Sequence, residues 1–559
     1  MKKVSPPPPY GVLFTVAHLS SFPLLCYHLR MSTPRKMPIG IQSFEDIRTN
    51  GYVYVDKTQY VYRLVSEGKP YFLSRPRRFG KSLFLSTLEA YFLGKKELFS
   101  GLALETLEEQ NTKEPWTVYP VLHLDLNSKK YDEPSSLNKM LSAQLDEWEK
   151  KYNLPQSDKD PELRFTAVIR AAHEATGRQV AVLVDEYDKP LIEVLDNEAL
   201  YEDYRKTLKA FYGVLKSEDA HLKFVFLTGV TKFSQVSVFS DLNQLRDISM
   251  DRSCSGICGI SGTELDAQFK PEIAALAEET GATPEECRAK LRALYDGYHF
   301  HPEGEDMYNP FSLLNTFASL EYSYYWFQTG TPSFLVKMMD RSGFDMRTMA
   351  SGVEAGKNAF TEYRFDMNTP VPLLYQSGYL TIKDYNKEFG IYTLAFPNEE
   401  VRYGFMNYLL PHETNIPAPE TAFYIGKFVT DLREGDVDSF MTRLKSILAS
   451  VPYPVSGKPV AVNEQTFQTG CFLVFSLMGQ FTQTEVQSAK GRADCVVWTK
   501  DAVYVFEFKL DGSAEEALAQ IDDRSYAVPY EADGRRIVKI GVGFDKEACT
   551  IAGWKVGNC

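Results

Sequence analysis

The stretch "SRPRRFGKSLFLSTL", residues 74–88, decides the fold. It closes a short apolar run, "YFLS", and opens an amphipathic helical pattern, and Gly80, Lys81 and Ser82 stand at the junction. Strand, polar loop and helix together aim free backbone N–H groups at an anion, helped by the positive end of the helix dipole. Gly80 lets the backbone approach closely, Lys81 is placed for the terminal phosphates, and Ser82 puts its hydroxyl on Mg²⁺. The expected phosphate-binding set is Arg77, Arg78, Phe79, Gly80, Lys81 and Ser82. Arg75 occupies the place of the first glycine of the strict pattern, so the motif alone leaves a chance Gly-Lys-Ser open.

A second element shifts the balance. Residues 179–188, "QVAVLVDEYD", form a continuous apolar run typical of a buried parallel strand and end in Asp185 and Glu186. Open α/β sheets place ligands at the C-terminal edge of their strands. There Asp185 is a ligand for Mg²⁺ through its water shell, and Glu186 is the base that orients and deprotonates the attacking water. Alone, such a pair is also what a solvated loop carries; with Lys81 and Ser82 it points to ATP hydrolysis with ATP and Mg²⁺ as cofactors. "YPVLHLDL" (119–126) and "LKFVFLTGV" (222–230) read as further parallel strands of the same sheet. Thr228 ends the latter, either as a γ-phosphate contact or as an ordinary strand-end threonine. Arg77, Arg78 and Arg246 are all candidates to stabilise phosphoryl-transfer charge or to form surface ion pairs, and the sequence does not choose among them.

Composition bounds the rest. The 559 residues are 44% hydrophobic and 24% charged, which describes a globular chain of roughly three or four domains. A formal charge of −13 excludes binding of nucleic acid by bulk charge and confines it to a local patch. Eight cysteines without paired spacings read as reduced thiols and a cytoplasmic protein. The opening "MKKVSPPPPYGVLFTVAHLSSFPLLCYHLR" has the outline of a signal peptide, but prolines and His18 interrupt it and no small-residue cleavage site follows. Residues 1–36 therefore read as an extension preceding a start at Met31 or Met37, with no membrane partner. Cys254 and Cys258, with His299 and His301, are too loosely spaced for a zinc site. The aromatics of "YYWFQTGTPSFL" (324–335) suit core packing better than base stacking.

Residues 491–509, "GRADCVVWTKDAVYVFEFK", parse as strand, tight turn and strand, with Glu507 and Lys509 leaving one face of the second strand and Asp494 beginning the first. The two charges interrupt an apolar run, and buried charge is tolerated at metal or substrate sites. In a hairpin that brings the three together, Asp494 and Glu507 bind Mg²⁺ with the Phe508 carbonyl. Lys509 then positions the nucleophile or meets developing negative charge on a phosphodiester. Glu464 and Gln520 are further contributors or members of solvated helix faces.

The segments "PIGIQSFEDIRTNGYVYVDKT", "FLSRPRRFGKSLFLSTL", "VLVDEYDKPL" and "TGVTKFSQVSVFSDLNQLRDIS" resemble the AAA-ATPase-like proteins of anaerobic bacteria, in which "RPRRFGKS" is the family's own phosphate motif. The resemblance runs from about Pro38 onward and implies a C-terminal domain similar to the PD-(D/E)xK nucleases. The expected fold class is α/β: a P-loop NTPase parallel sheet flanked by helices over 37–262, a mainly helical connector over 263–415, and a mixed α/β nuclease-like domain over 416–559. The expected function is ATP hydrolysis coupled to Mg²⁺-dependent action on nucleic acid, DNA foremost. The alternative is an ATP-dependent switch whose last domain binds DNA or protein without cutting. AAA-like engines often borrow a neighbour's arginine, which makes a homo-oligomer compatible with the reading.

Overall fold

Residues 70–74 leave little choice of conformation: Tyr71, Phe72 and Leu73 are all buried, and only a strand inside a sheet satisfies both their side chains and their backbone. A computed structural model of the chain describes residues 35–558 apart from 112, 156–159, 233–243, 330–334, 336–337, 340–341, 362–368, 415, 450–463, 480–482, 487–492, 511 and 546–549. The N-terminal extension and the middle of the 228–249 segment thus lie outside the described residues.

The first sheet contains β1 (Pro70–Ser74), β2 (Val121–Asp125), β3 (Val180–Asp185), β4 (Leu222–Gly229) and β5 (Arg246–Asp247). Their order is β2-β3-β4-β1-β5, and every neighbouring pair is parallel. The strands expected at 119–126, 179–188 and 222–230 are all present. Because β4 lies between β1 and β3, the phosphate loop and the carboxylate pair leave the same sheet edge one strand apart. Register puts Leu73 opposite Thr228 and Val184 opposite Leu227, so Leu73, Thr228 and Asp185 lie at one level. Gly229 permits this closeness: a Cβ there would stand 2.3 Å from Asp188 Oδ1.

The connector packs the helices Lys270–Thr280, Pro284–Tyr295, Pro310–Ser319 and Glu399–Glu413 beside the first domain. It also carries a three-stranded antiparallel sheet of Val353–Gly356, Ile391–Ala395 and Thr381–Asn386, the middle strand being Ile391–Ala395. Sequence alone gives weak notice of these strands, because each is short and only Ile391–Ala395 alternates buried with less buried positions.

The C-terminal sheet contains β6 (Gln483–Val486), β7 (Cys495–Trp498), β8 (Ala502–Lys509), β9 (Arg536–Asp545) and β10 (Thr550–Asn558), in that spatial order. All pairs are antiparallel except β8 with β9. A parallel pair requires a crossover, and the helix Ala514–Asp523 supplies it. On the other face Phe475 of the helix Glu464–Met478 packs against Phe506 and Phe508.

Candidate functional site

The phosphate loop is held from outside by its own side chains. Arg75 is 1% exposed; it donates to the carbonyls of Ser74 (2.9 Å), Ser249 (2.7 Å) and Cys254 (3.1 Å) and lies over the Phe300 ring. It ties the loop to the segment after β5, which gives the residue in the first-glycine place a structural task. Phe79 is buried edge-on against Tyr298 and Phe300. Arg78 has φ +67° and stacks on Phe311, while the Arg77 carbonyl accepts from Trp326 Nε1 at 3.0 Å. Gly80, at φ +95°, then turns the chain into the helix Lys81–Phe92, a left-handed position that glycine occupies without strain. An apolar pocket adjoins Gly80 between Val53, Val55, Phe84, Ile260, Phe269 and Leu314.

Lys81 is buried to 4% exposure, donates to the carbonyls of Arg75 (3.1 Å) and Pro76 (3.3 Å), and lies 3.7 Å from Glu186 Oε1. Ser82 hydrogen-bonds Asp185, whose carboxyl is pushed up to about 6 by burial and the Glu186 charge, against the pull of that bond and of Lys81. Lys81, Ser82, Asp185 and Glu186 therefore converge. Glu186 has φ +49°, a conformation rare outside glycine and concentrated at functional turns. Asp188, two residues on, is fully buried and accepts from the Val230 and Thr231 N–H groups and the Thr231 hydroxyl. It clasps the exit of β4 to the carboxylate turn.

Thr228, Arg246 and the Cys254, Cys258 and His299 set have other partners. The Thr228 hydroxyl donates to the Leu73 carbonyl at 2.9 Å and cross-links β4 to β1. Arg246 is held at the sheet edge by Asp251 (2.8 Å) and Glu67 (3.3 Å). Cys254 and Cys258 are buried beside Arg75, and His299 pairs with Asp306.

In the C-terminal domain Asp494, Glu507 and Lys509 are brought together. The Phe508 N–H donates to Asp494 Oδ2 at 2.8 Å, which places the aspartate beside β8. Gln520, on the crossover helix, accepts from Lys509 Nζ and donates to Glu507 Oε1. Burial raises both carboxyls, and Glu507 reaches about 7 with the Asp494 charge adding. Glu507 Oε2 is buried without a hydrogen-bond partner among the described residues. Two adjoining carboxyls with an orphaned oxygen are a donor set suited to a divalent cation, so the residues present fit Mg²⁺. The side chain of Glu464 lies outside the described residues.

Between the usual glutamate value and about 7, the folded chain holds a proton at Glu507 that the unfolded chain has lost, so this group's contribution to stability falls as pH rises through that window. Mg²⁺ held there would compete with that proton. The thermal stabilisation by Mg²⁺ is expected to grow from about pH 6 to about pH 8, and Glu507→Gln should remove most of the growth in a melting series.

The model for a predicted AAA-ATPase matches residues 38–239, and that for the PD-(D/E)XK nuclease superfamily matches residues 462–554. A protein of Azotobacter chroococcum mcd 1, "Uncharacterized protein in vnfD 5'region", is 36% identical over 532 residues, covering 93% of this chain and 99% of its own. The chain belongs to the AAA-ATPase-like family. It carries that family's P-loop α/β domain and, toward its C-terminal side, a PD-(D/E)XK nuclease superfamily domain. Among the described residues no helix is long and apolar enough to cross a membrane. In this AAA-ATPase-like chain, sequence reasoning missed Asp188 and Trp326. Asp188 offered a faint signal as a third acidic residue after β3; Trp326 offered none, since its partner is 249 residues away.

Proposed function

We propose that the chain binds and hydrolyses ATP at the sheet edge and uses the nucleotide state to control action of its nuclease-like domain on nucleic acid. The observation that carries the reading is the convergence of Lys81 on Glu186 at 3.7 Å beside the Ser82–Asp185 hydrogen bond. Backbone N–H groups at the start of the helix Lys81–Phe92 cradle the phosphates, Lys81 meets their charge, and the apolar pocket beside Gly80 takes the base. Glu186 receives the proton of the attacking water. Ser82 and Asp185 would hold Mg²⁺ there, and Asp494, Glu507 and the Phe508 carbonyl in the second site; bound Mg²⁺ supplies charge neutralisation at the phosphates. Lys509, oriented through Gln520, faces the same carboxylates and orients the nucleophile or meets negative charge as it develops.

Coupling between the two sites has a physical route. Trp326 donates from its ring to the Arg77 carbonyl in the phosphate loop and from its backbone N–H to Glu400 (2.8 Å). Glu400 is buried, accepts the Ser312 hydroxyl at 2.7 Å, and has its carboxyl raised to about 8 by burial. Two residues along the same helix, Arg402 donates to the Ser476 carbonyl in the helix that backs β8. A shift of the phosphate loop on nucleotide binding thus bears on Glu399–Glu413 and, through it, on the C-terminal domain.

The direct test is ATP turnover by the full chain with and without Mg²⁺, single-stranded DNA, duplex DNA and RNA, run beside a cleavage gel. No turnover under any condition would overturn the ATPase reading. Trp326→Phe removes the ring N–H to the loop at a cost of about 1 kcal/mol. It is expected to leave ATP turnover nearly unchanged while abolishing any effect of ATP on the cleavage or binding of DNA; an intact ATP effect would exclude this route.

A further inference from the structure

The helix Ala514–Asp523 forms one flank of the carboxylate site in the C-terminal domain. Val503 and Val505 of β8 pack against Ile521 of that helix, so it covers the face of β8 from which Glu507 and Lys509 also project. Gln520 stands on the side of the helix turned to the carboxylates, bonded to Lys509 Nζ and Glu507 Oε1. Arg524 follows it by one turn: its backbone N–H donates to the Gln520 carbonyl at 3.0 Å, and its φ of −93° and ψ of −1° are still helical. Residues four apart share a helix flank, so Arg524 lies beside Gln520, about 6 Å farther along the axis. Helical side chains lean toward the N-terminus, which favours a guanidinium turned back toward the carboxylates.

Arg524 is exposed and makes no ion pair or side-chain hydrogen bond among the described residues. Other cations of the domain are engaged: Lys539 with Asp522, Lys555 with Glu515, and Arg535 with Asp533. These pairs also occupy two acids of the helix, and Glu516 is turned to the Ser513 N–H at the helix start. Asp523 precedes Arg524 directly, and consecutive helical residues do not face each other. An accessible guanidinium thus stands beside two carboxyls suited to a divalent cation. Both features attract an anion, and a chain of formal charge −13 depends on such local cations to hold a polyanion. A guanidinium meets phosphate through two parallel N–H donors.

We propose that Arg524 is a substrate-binding residue of the C-terminal domain, taking a backbone phosphate of a nucleic-acid strand next to the phosphodiester held at Asp494 and Glu507. The assignment rests on the reading that this domain acts on nucleic acid. Lys509, tied to Gln520, serves the reacting phosphate, and Arg524 one turn away fixes the register of the strand over it. Backbone contacts position a strand without reading its sequence, so Arg524 supports affinity equally across sequences. A basic residue at a helix C-terminus also suits the helix dipole, and that role alone predicts a loss of stability without a loss of affinity.

The test is fluorescence anisotropy of the full chain with labelled single-stranded DNA, duplex DNA and RNA over a salt series, with Ca²⁺ in place of Mg²⁺ at the carboxylates. Cleavage of the same oligonucleotides with Mg²⁺ and a melting curve run beside it. Arg524→Gln is expected to weaken binding roughly fivefold or more on every sequence and to make the salt dependence shallower by about one phosphate contact. It should raise KM for cleavage while leaving kcat near the wild-type value. Arg524→Lys keeps the charge and should restore the salt dependence, and both variants should melt as the wild type does. Wild-type affinity and salt dependence in Arg524→Gln, or a lowered melting temperature with affinity intact, would overturn the assignment and leave the nucleic-acid reading standing. A wild-type chain that neither binds nor cuts any of the three polymers would overturn that reading and this assignment together.

Discussion

Glu186→Gln is expected to bind ATP with Mg²⁺ as the wild type does and to turn it over some 10²–10⁴-fold more slowly, the usual share of a positioned general base. The substitution is close to isosteric and leaves Lys81 in place. It removes one negative charge from beside Asp185, so the Asp185 carboxyl should fall from about 6 toward its ordinary value, since the Glu186 charge is the second largest cause of its elevation. Two readouts thus separate a catalytic from a structural effect: nucleotide affinity by fluorescence titration, which should hold, and turnover, which should collapse. Equal turnover in variant and wild type would remove Glu186 as the base.

Asp494→Ala is the second large effect. It deletes one of two carboxyls suited to the cation and the acceptor that holds the Phe508 N–H, so any Mg²⁺-dependent cleavage should fall below detection while ATP turnover persists. Loss of a buried acceptor that pairs with a backbone N–H also costs about 1–3 kcal/mol, so a melting curve belongs beside the gel. Asp494→Asn keeps most of the shape and still lacks the charge; cleavage lost in both variants with folding intact locates the function in the carboxylate. A DNA-dependent phenotype that survives both would instead favour a domain that binds without cutting.

Much of this was legible before any fold was known, and the particular residues show why. Runs such as "QVAVLVD" carry their own evidence, because a strand buried on both faces must be apolar throughout and the interruption by Asp185 and Glu186 marks where it leaves the core. Gly80 before Lys81 and the charges of Glu507 and Lys509 two apart are likewise signals of backbone geometry and strand period. Arg75 was less transparent: its place suggested a broken motif, and packing shows a guanidinium spent on three backbone carbonyls and a ring. Thr228 invited a phosphate contact because it ends a strand, but its hydroxyl turns to the neighbouring strand at Leu73, a choice set by which strand lies alongside.

The amino-acid order by itself determined the strands and helix that carry the two sites and the identities of the charged residues at the strand ends, since these follow from hydrophobic period and turn chemistry over a few consecutive positions. Tertiary structure alone decided that β4 separates β1 from β3, that Trp326 reaches the Arg77 carbonyl, and that Gln520 links Lys509 to Glu507. Those facts depend on which distant surfaces meet, and the free energy that selects among such meetings is spread over the whole core rather than written in any local pattern.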